Sequence, residues 1–275
     1  MSRPANTSIV RYGLLALMSV LVLYPFVAMV ALSLTTNNEI LSGSGLIPRQ
    51  ITFDNYIGMW GVAPFGDFFR NSIVAGTFTV LVVLMIAAPA AYVLQRHIFP
   101  GHGLIRSFLF YTQLVPVAGL LLPLFVLVRQ LGLYNSVPGL IVVYTGLFLP
   151  VAAIMLQGFF VQIPRDFEEA AWVDGASRFQ AFRRVTLPLA VPGLIAVGSV
   201  IFIATWEEYI LALTLTAGNA ARTVPIGLTF FFQSHQTDYA GLMAASVVST
   251  IPAVIALTIS GRFIVRGIAQ GGIRG

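Results

Sequence analysis

Ten acidic side chains are scarce in this sequence, and two of them stand side by side where carboxylates are expensive. Glu207 and Glu208 interrupt an apolar run, with Trp206 before them and Tyr209 after. At mid-bilayer depth a carboxylate costs about 2.5–3.5 kcal/mol on insertion scales, so each needs water, a partner or a ligand. Adjacent residues on a helix point about 100° apart, so the two cannot aim along one line. One reading has them line a polar path or its outer gate, beside the aromatic faces of Trp206 and Tyr209. The other is hydrogen bonding between helices. A proton- or Na⁺-coupled secondary transporter using Glu207 and Glu208 is a third possibility.

The densest charge lies between Ile163 and Pro188, with four acids and four Arg in a stretch reading Ile-Pro-Arg-Asp-Phe-Glu-Glu-Ala-Ala-Trp-Val-Asp-Gly-Ala-Ser-Arg-Phe-Gln-Ala-Phe-Arg-Arg-Val-Thr-Leu-Pro. Pro164 with Asp166 and Glu168 makes a good helix start, since acids are favoured at the positive end of the helix dipole. Asp174-Gly175 breaks that helix, because Gly adopts the left-handed backbone that side chains oppose. Ser177 caps a second helix running to about Val185. A bent, two-helix knob follows. Its Ala170, Ala171, Trp172, Phe179 and Phe182 suit a solvated loop poorly, so some of them pack against protein, the chain's own helix ends included.

Enzyme chemistry finds no foothold. There is no H-E-x-x-H, G-x-S-x-G or Walker A loop, and no catalytic residue is assigned. His97, His102 and His235 share no metal-ligand spacing, and the absence of Cys removes disulfides and thiolate metal sites; no metal or directly bound cofactor is expected. Gln113 and Gln157 read as hydrogen bonders between helices.

The elements that carry these groups lie in lipid. Of 275 residues, 57% are hydrophobic and 9% charged, with a mean hydropathy of +0.89, against about 25% charged in soluble domains. Uncharged stretches of about 20 residues cross the hydrocarbon, and six runs read as spans, 12–34, 71–95, 107–128, 137–161, 189–215 and 239–261, of which only the fifth contains charge, at Glu207 and Glu208, with a cytoplasmic loop at 162–188. All belong to one transmembrane domain, 1–275. The first run is too long for a signal region and no A-x-A site follows, so it stays as a span. The fold class is all-α and integral to the membrane.

Seven prolines (Pro25, Pro89, Pro116, Pro123, Pro150, Pro192 and Pro252) fall inside spans, past the Val137-Pro138 that opens the fourth, so kinked helices packed around a path are expected. The 15 basic residues are all Arg. Arg3, Arg11, Arg96, Arg106, Arg165, Arg178, Arg183, Arg184, Arg262, Arg266 and Arg274 fall on one side of the six spans, against Arg49, Arg70, Arg129 and Arg222 on the other, which puts both termini in the cytoplasm. Their dispersal among apolar runs excludes a nucleic-acid face. Asn6-Thr7-Ser8 fits a glycosylation sequon but lies on that cytoplasmic side.

The loop residues resemble a known family. Glu169-Ala170-Ala171, then Gly175 three residues later, then Val185-x-Leu187-Pro188 after nine more, is similar to the EAA loop of bacterial ABC importer permeases, with Val where Ile is usual. Leu46-Ile-Pro48, Phe53-Asp-Asn-Tyr56, Asn71-Ser72, Ala90-Ala-Tyr92, Val115-Pro116, Pro123-Leu-Phe125 and Trp206-Glu-Glu-Tyr209 narrow the resemblance to permeases of the maltose and oligosaccharide import type. The tail from Gly267 to Gly275 resembles that family's glycine-punctuated C-terminus, with Arg274 where Lys is common, which implies a complete chain.

The resemblance implies a multi-pass subunit of the bacterial cytoplasmic membrane. It pairs with a second homologous permease, two copies of a cytoplasmic ATPase and an extracytoplasmic sugar-binding protein. ATP and Mg are used by the ATPase alone. Glu169, Ala170, Ala171, Asp174, Gly175, Ala176, Leu187 and Pro188 are implied as the ATPase-coupling residues, with Glu169 making polar contacts in an ATPase groove and Gly175 forming the bend. Trp206, Glu207, Glu208 and Tyr209 are implied for the path. The family commonly has an amide at the position of Glu207, so Glu208 is the firmer carry-over. Disaccharides, oligosaccharides, polyols and glycerol phosphodiesters all stay open as substrates.

Overall fold

The computed structural model describes residues 5–43, 45–232 and 237–271, with side chains for those within 11–262. His235 and the end of the tail lie outside the described residues. Helix dominates, and a single bridge between Phe232 and Thr237 is the extent of β pairing among them. Four helices are long and apolar enough to cross a bilayer, α1 (Ala5–Ser33), α4 (Phe65–Arg96), α7 (Val137–Phe160) and α14 (Tyr239–Gly271). Two bent pairs complete the expected six when each is counted as one span.

The first bent pair changes the reading of 107–128 as one continuous run. Helix α5 (His102–Thr112) ends before Gln113, and α6 (Val117–Gln130) leaves it at 100°. Pro116 is the cause: it donates no N–H, its extended ψ of 127° places it outside either helix, and its ring pushes Val115 away from the helical region. By contrast Pro25, Pro89, Pro123, Pro150 and Pro252 all sit inside helices, and Pro192 falls in the first turn of one. The second pair joins Arg178–Leu189 to α11 (Val191–Trp206) at 70°. The fifth expected span also ends early, because α11 stops at Trp206 and α12 (Ile210–Leu215) begins only after a three-residue break.

The chain divides into two compact units, 1–66 with 227–251, and 67–226 with 252–275. In the first, the end of α1 is tied down by the Phe53-Asp-Asn-Tyr56 segment that opens α3 (Asp54–Val62). Asn55 Nδ2 donates to the carbonyls of Ser33 and Thr35, and the Tyr56 hydroxyl lies 2.6 Å from Ser33 Oγ. These bonds satisfy part of the carbonyl row that every helix end exposes. A short helix, α2 (Asn37–Leu41), follows α1, and its Asn37 bonds to Thr237 and Tyr239.

In the second unit the core is built by α4, α7 and α11. Val83, Ala87, Ala88, Ala91 and Tyr92 of α4 meet Ala152, Leu156 and Phe160 of α7 and Val197 and Ile201 of α11. The alanines let the backbones approach closely, as lipid-embedded interfaces require. Near the start of α4, Asn71 Nδ2 donates to the carbonyls of Ala220 and Arg222, while Ser72 Oγ accepts the N–H of Val224, which opens α13 (Val224–Leu228). Asn71-Ser72, noted in the sequence as the opening of a span, thus braces the loop that leaves α12.

Candidate functional site

The charged knob has the two-helix form read from its sequence. Helix α8 (Asp166–Val173) carries Asp166, Glu168 and Glu169 in its first turn. Gly175 then adopts φ +86°, the left-handed conformation costly to other residues. Ser177 caps α9 (Arg178–Ala181) in a capping box, its Oγ accepting from Gln180 N–H while Gln180 Oε1 accepts from Ser177 N–H.

The second helix does not stop at Val185. It widens into a π turn over Phe182–Thr186, continues as α10 (Leu187–Leu189), and bends by 70° into α11. Pro188 accounts for the widening, because in an α-helix its ring would strike the carbonyl four residues back. The Leu-Pro at the end of the motif therefore shapes the joint between knob and span.

Burial separates the knob into an anchored side and an open side. Ala181 and Phe182 are buried, and the Phe182 ring lies 4.6 Å from that of Tyr92 on α4. Glu169, Ala170, Asp174, Gly175 and Pro188 are exposed, and Ala171, Ala176 and Leu187 are half-buried. Around them stand apolar groups that this chain leaves uncovered: Phe167 is 53% exposed, Phe179 69% and Val173 88%. Arg178 lies over the half-open Trp172 ring at 5.8 Å.

The acid that this chain buries is Glu168, one residue before the motif glutamate. It is 2% exposed, and its Oε1 lies 3.0 Å from Nε of Arg96, itself 6% exposed, at the end of α4. The contact is an ion pair rather than an aligned hydrogen bond. Tyr92 donates its hydroxyl to Glu168 Oε2 at 2.8 Å, and Arg96 Nη2 donates to the carbonyl of Ile163 at 2.7 Å. Arg165 Nη2 adds a bond to the Arg96 carbonyl. Removing one member of such a pair leaves an uncompensated buried charge, at a cost of about 3–5 kcal/mol. Sequence reasoning missed this group, since Tyr92 and Glu168 are 76 residues apart.

At the other glutamates the structure divides the roles. Glu208 Oε2 accepts from the Tyr144 hydroxyl at 3.0 Å and from Ala212 N–H at 2.9 Å, while Oε1 accepts from Leu211 N–H at 2.8 Å. Glu208 thus satisfies the bare N–H groups that open α12. Glu207 is exposed, and its carboxylate makes no bond among the described residues. Tyr209 is likewise on the surface, whereas Trp206 is buried, stacked on Phe202 and edge-on to Phe69. Of the four residues, Glu207 and Tyr209 present themselves outward.

The description "binding-protein-dependent transport system inner membrane component" matches residues 84–270. The chain belongs to this family. It is 37% identical over 272 residues to the trehalose transport system permease protein SugB of Mycobacterium tuberculosis (strain CDC 1551 / Oshkosh), covering 98% of this chain and 96% of that one. It is 34% identical over 262 residues to the trehalose/maltose transport system permease protein MalG of Thermococcus litoralis, covering 94% of each. In fold it resembles a chain of a bacterial ABC transporter that imports the acidic polysaccharide alginate, with TM-score 0.82, 23% identity, and 95% and 99% of the two chains covered. The permease therefore joins an all-α membrane fold to a knob with one buried and one open side.

Proposed function

We propose that this permease is a subunit of an ATP-driven sugar importer, in which the open side of the knob docks on a cytoplasmic ATPase. The observation that carries the reading is the uncovered apolar group of Phe167, Val173 and Phe179 beside exposed Glu169, Asp174 and the Gly175 bend. Outside the bilayer such side chains mark a protein contact. The trehalose and trehalose/maltose relatives support sugar as the cargo.

In the same reading 1–275 is one permease domain with both termini cytoplasmic. It forms half of the path with a second homologous permease, above two ATPase copies that bind ATP and Mg, while a binding protein supplies the sugar from outside. Glu169, Ala170, Ala171, Asp174, Gly175, Ala176, Leu187 and Pro188 form or shape the ATPase contact, and Glu207 with Tyr209 faces the cargo. An ion-coupled mechanism is disfavoured, because Glu208 is spent on Tyr144 and the α12 N–H groups.

The test is co-purification. The tagged full-length permease, expressed with its cognate ATPase subunit, should retain that ATPase; Val173→Asp with Phe179→Asp should release it without lowering the amount of permease in the membrane. Retention of the ATPase by the double variant would refute the assignment of this face.

A further inference from the structure

The chain enters the knob from α7 through residues 161–165 and leaves it through the π turn and α10 into α11. Neither covalent link leads into α4; the Arg96–Glu168 pair, with Tyr92 bonded to the same carboxylate, joins α8 to the end of that helix. We infer that the Arg96–Glu168 pair is a strut that fixes α8 to α4, so that a displacement of the knob moves the second span together with the fifth. The inference rests on the proposed ATPase contact, but it concerns residues outside that contact.

Three features make the link stiff. Both side chains are buried, so water does not compete for them, and separating them would strand two charges in a poor solvent. Arg96 is held at a second point by the carbonyl of Ile163, in the turn that precedes α8. Tyr92 packs between Phe160 and Phe182, so the hydroxyl that bonds to Glu168 is set by rings from α7 and from the π turn. The link therefore reaches the core of α4, α7 and α11. Tyr92, Arg96 and Glu168 are positioning residues: they hold the knob on its spans and touch neither ATP nor cargo.

The sequence has no Cys, so a single pair of cysteines introduced into this subunit can be labelled without background once the cysteines of the partner subunits are replaced. Val93 on α4 and Asp166 on α8 are both exposed, and spin labels at V93C and D166C report the separation of the two elements. Pulsed electron resonance on the full-chain complex, nucleotide-free and with Mg-ATP plus orthovanadate, should give one narrow distance that is the same in both states. R96M/E168M removes both charges at once and avoids the unpaired charge that could unfold the single variants. It should lose the narrow distance and separate the two states. A distance that shifts with nucleotide while the pair is intact, or an R96M/E168M distribution as narrow and state-independent as the parent's, would overturn the strut. Failure of the ATPase to co-purify with the parent would instead refute the docking proposal, which is a separate readout.

Discussion

Tyr144, buried in the first third of α7, donates its hydroxyl at 3.0 Å to Glu208, at the break between α11 and α12. The same carboxylate closes the start of α12 through Leu211 and Ala212. Hydrogen bonds to charged groups contribute about 1.5–3 kcal/mol, so Tyr144→Phe should destabilise the permease by that amount. Glu208→Gln keeps acceptor capacity in an amide oxygen and should cost less than Glu208→Ala, which also loses the helix cap at about 0.5–2 kcal/mol. Thermal unfolding of the detergent-purified complex gives the order; equal melting points for Gln and Ala at 208 would contradict the capping role.

Glu207 behaves differently because it is exposed and unbonded among the described residues. Its replacement by Gln should leave stability within about 0.5 kcal/mol, as for other surface changes. Uptake of the sugar carried by the cognate binding protein should fall by roughly tenfold, the effect of losing about 1.4 kcal/mol of contact to the cargo. The resemblance alone favoured Glu208 for this role, so the two Gln variants form a direct contrast. Normal uptake by Glu207→Gln would remove it from the path.

Gly175 sets the bend of the knob with φ +86°, and a Cβ there would meet nothing within 4 Å. The demand for glycine is therefore one of backbone conformation rather than space. Ala should cost about 1–2 kcal/mol in this left-handed region. Asn and Asp have the same shape and both tolerate it better. Gly175→Asn should consequently retain ATPase stimulation, while Gly175→Asp loses it through the added charge against the docked subunit. If the two variants stimulate equally, the bend does not lie in the ATPase contact.

Much of this arrangement was legible from local chemistry. The six apolar runs required lipid, the Asp174-Gly175 break and the Ser177 cap depend on neighbours a few residues away, and both have the expected form. What escaped involves distant partners. Nothing within the segment distinguishes Glu168 from Glu169, and only the approach of Arg96 and Tyr92 decides which of them is buried. The division of labour between Glu207 and Glu208 depends in the same way on Tyr144, 64 residues away. Pro116 was visible as a source of irregularity, but seven prolines looked alike in sequence. Five of them remain inside helices, while Pro116, with an extended ψ of 127°, separates two helices that diverge by 100°.

The packing of α11 on α7 gives a further prediction, centred on Gly193. A Cβ at this position would fall 2.5 Å from Phe159 Cγ and 2.8 Å from Phe159 Cβ. Rotation of the ring could relieve the first contact, but Phe159 Cβ is fixed to the α7 backbone, so the second requires the helices to part. Overpacking of this kind costs about 1–3 kcal/mol, and Gly193→Ala should lower the melting point of the purified permease accordingly. Phe159→Ala alone should also destabilise, by removing a ring that packs against the α4–α7–α11 core. Because the ring supplies only part of the clash, the double variant should recover part of the Gly193→Ala loss. The cycle should then show a coupling of about 0.5–3 kcal/mol, as for residues in contact. Strict additivity of the two changes would mean that α11 does not approach α7 at Gly193.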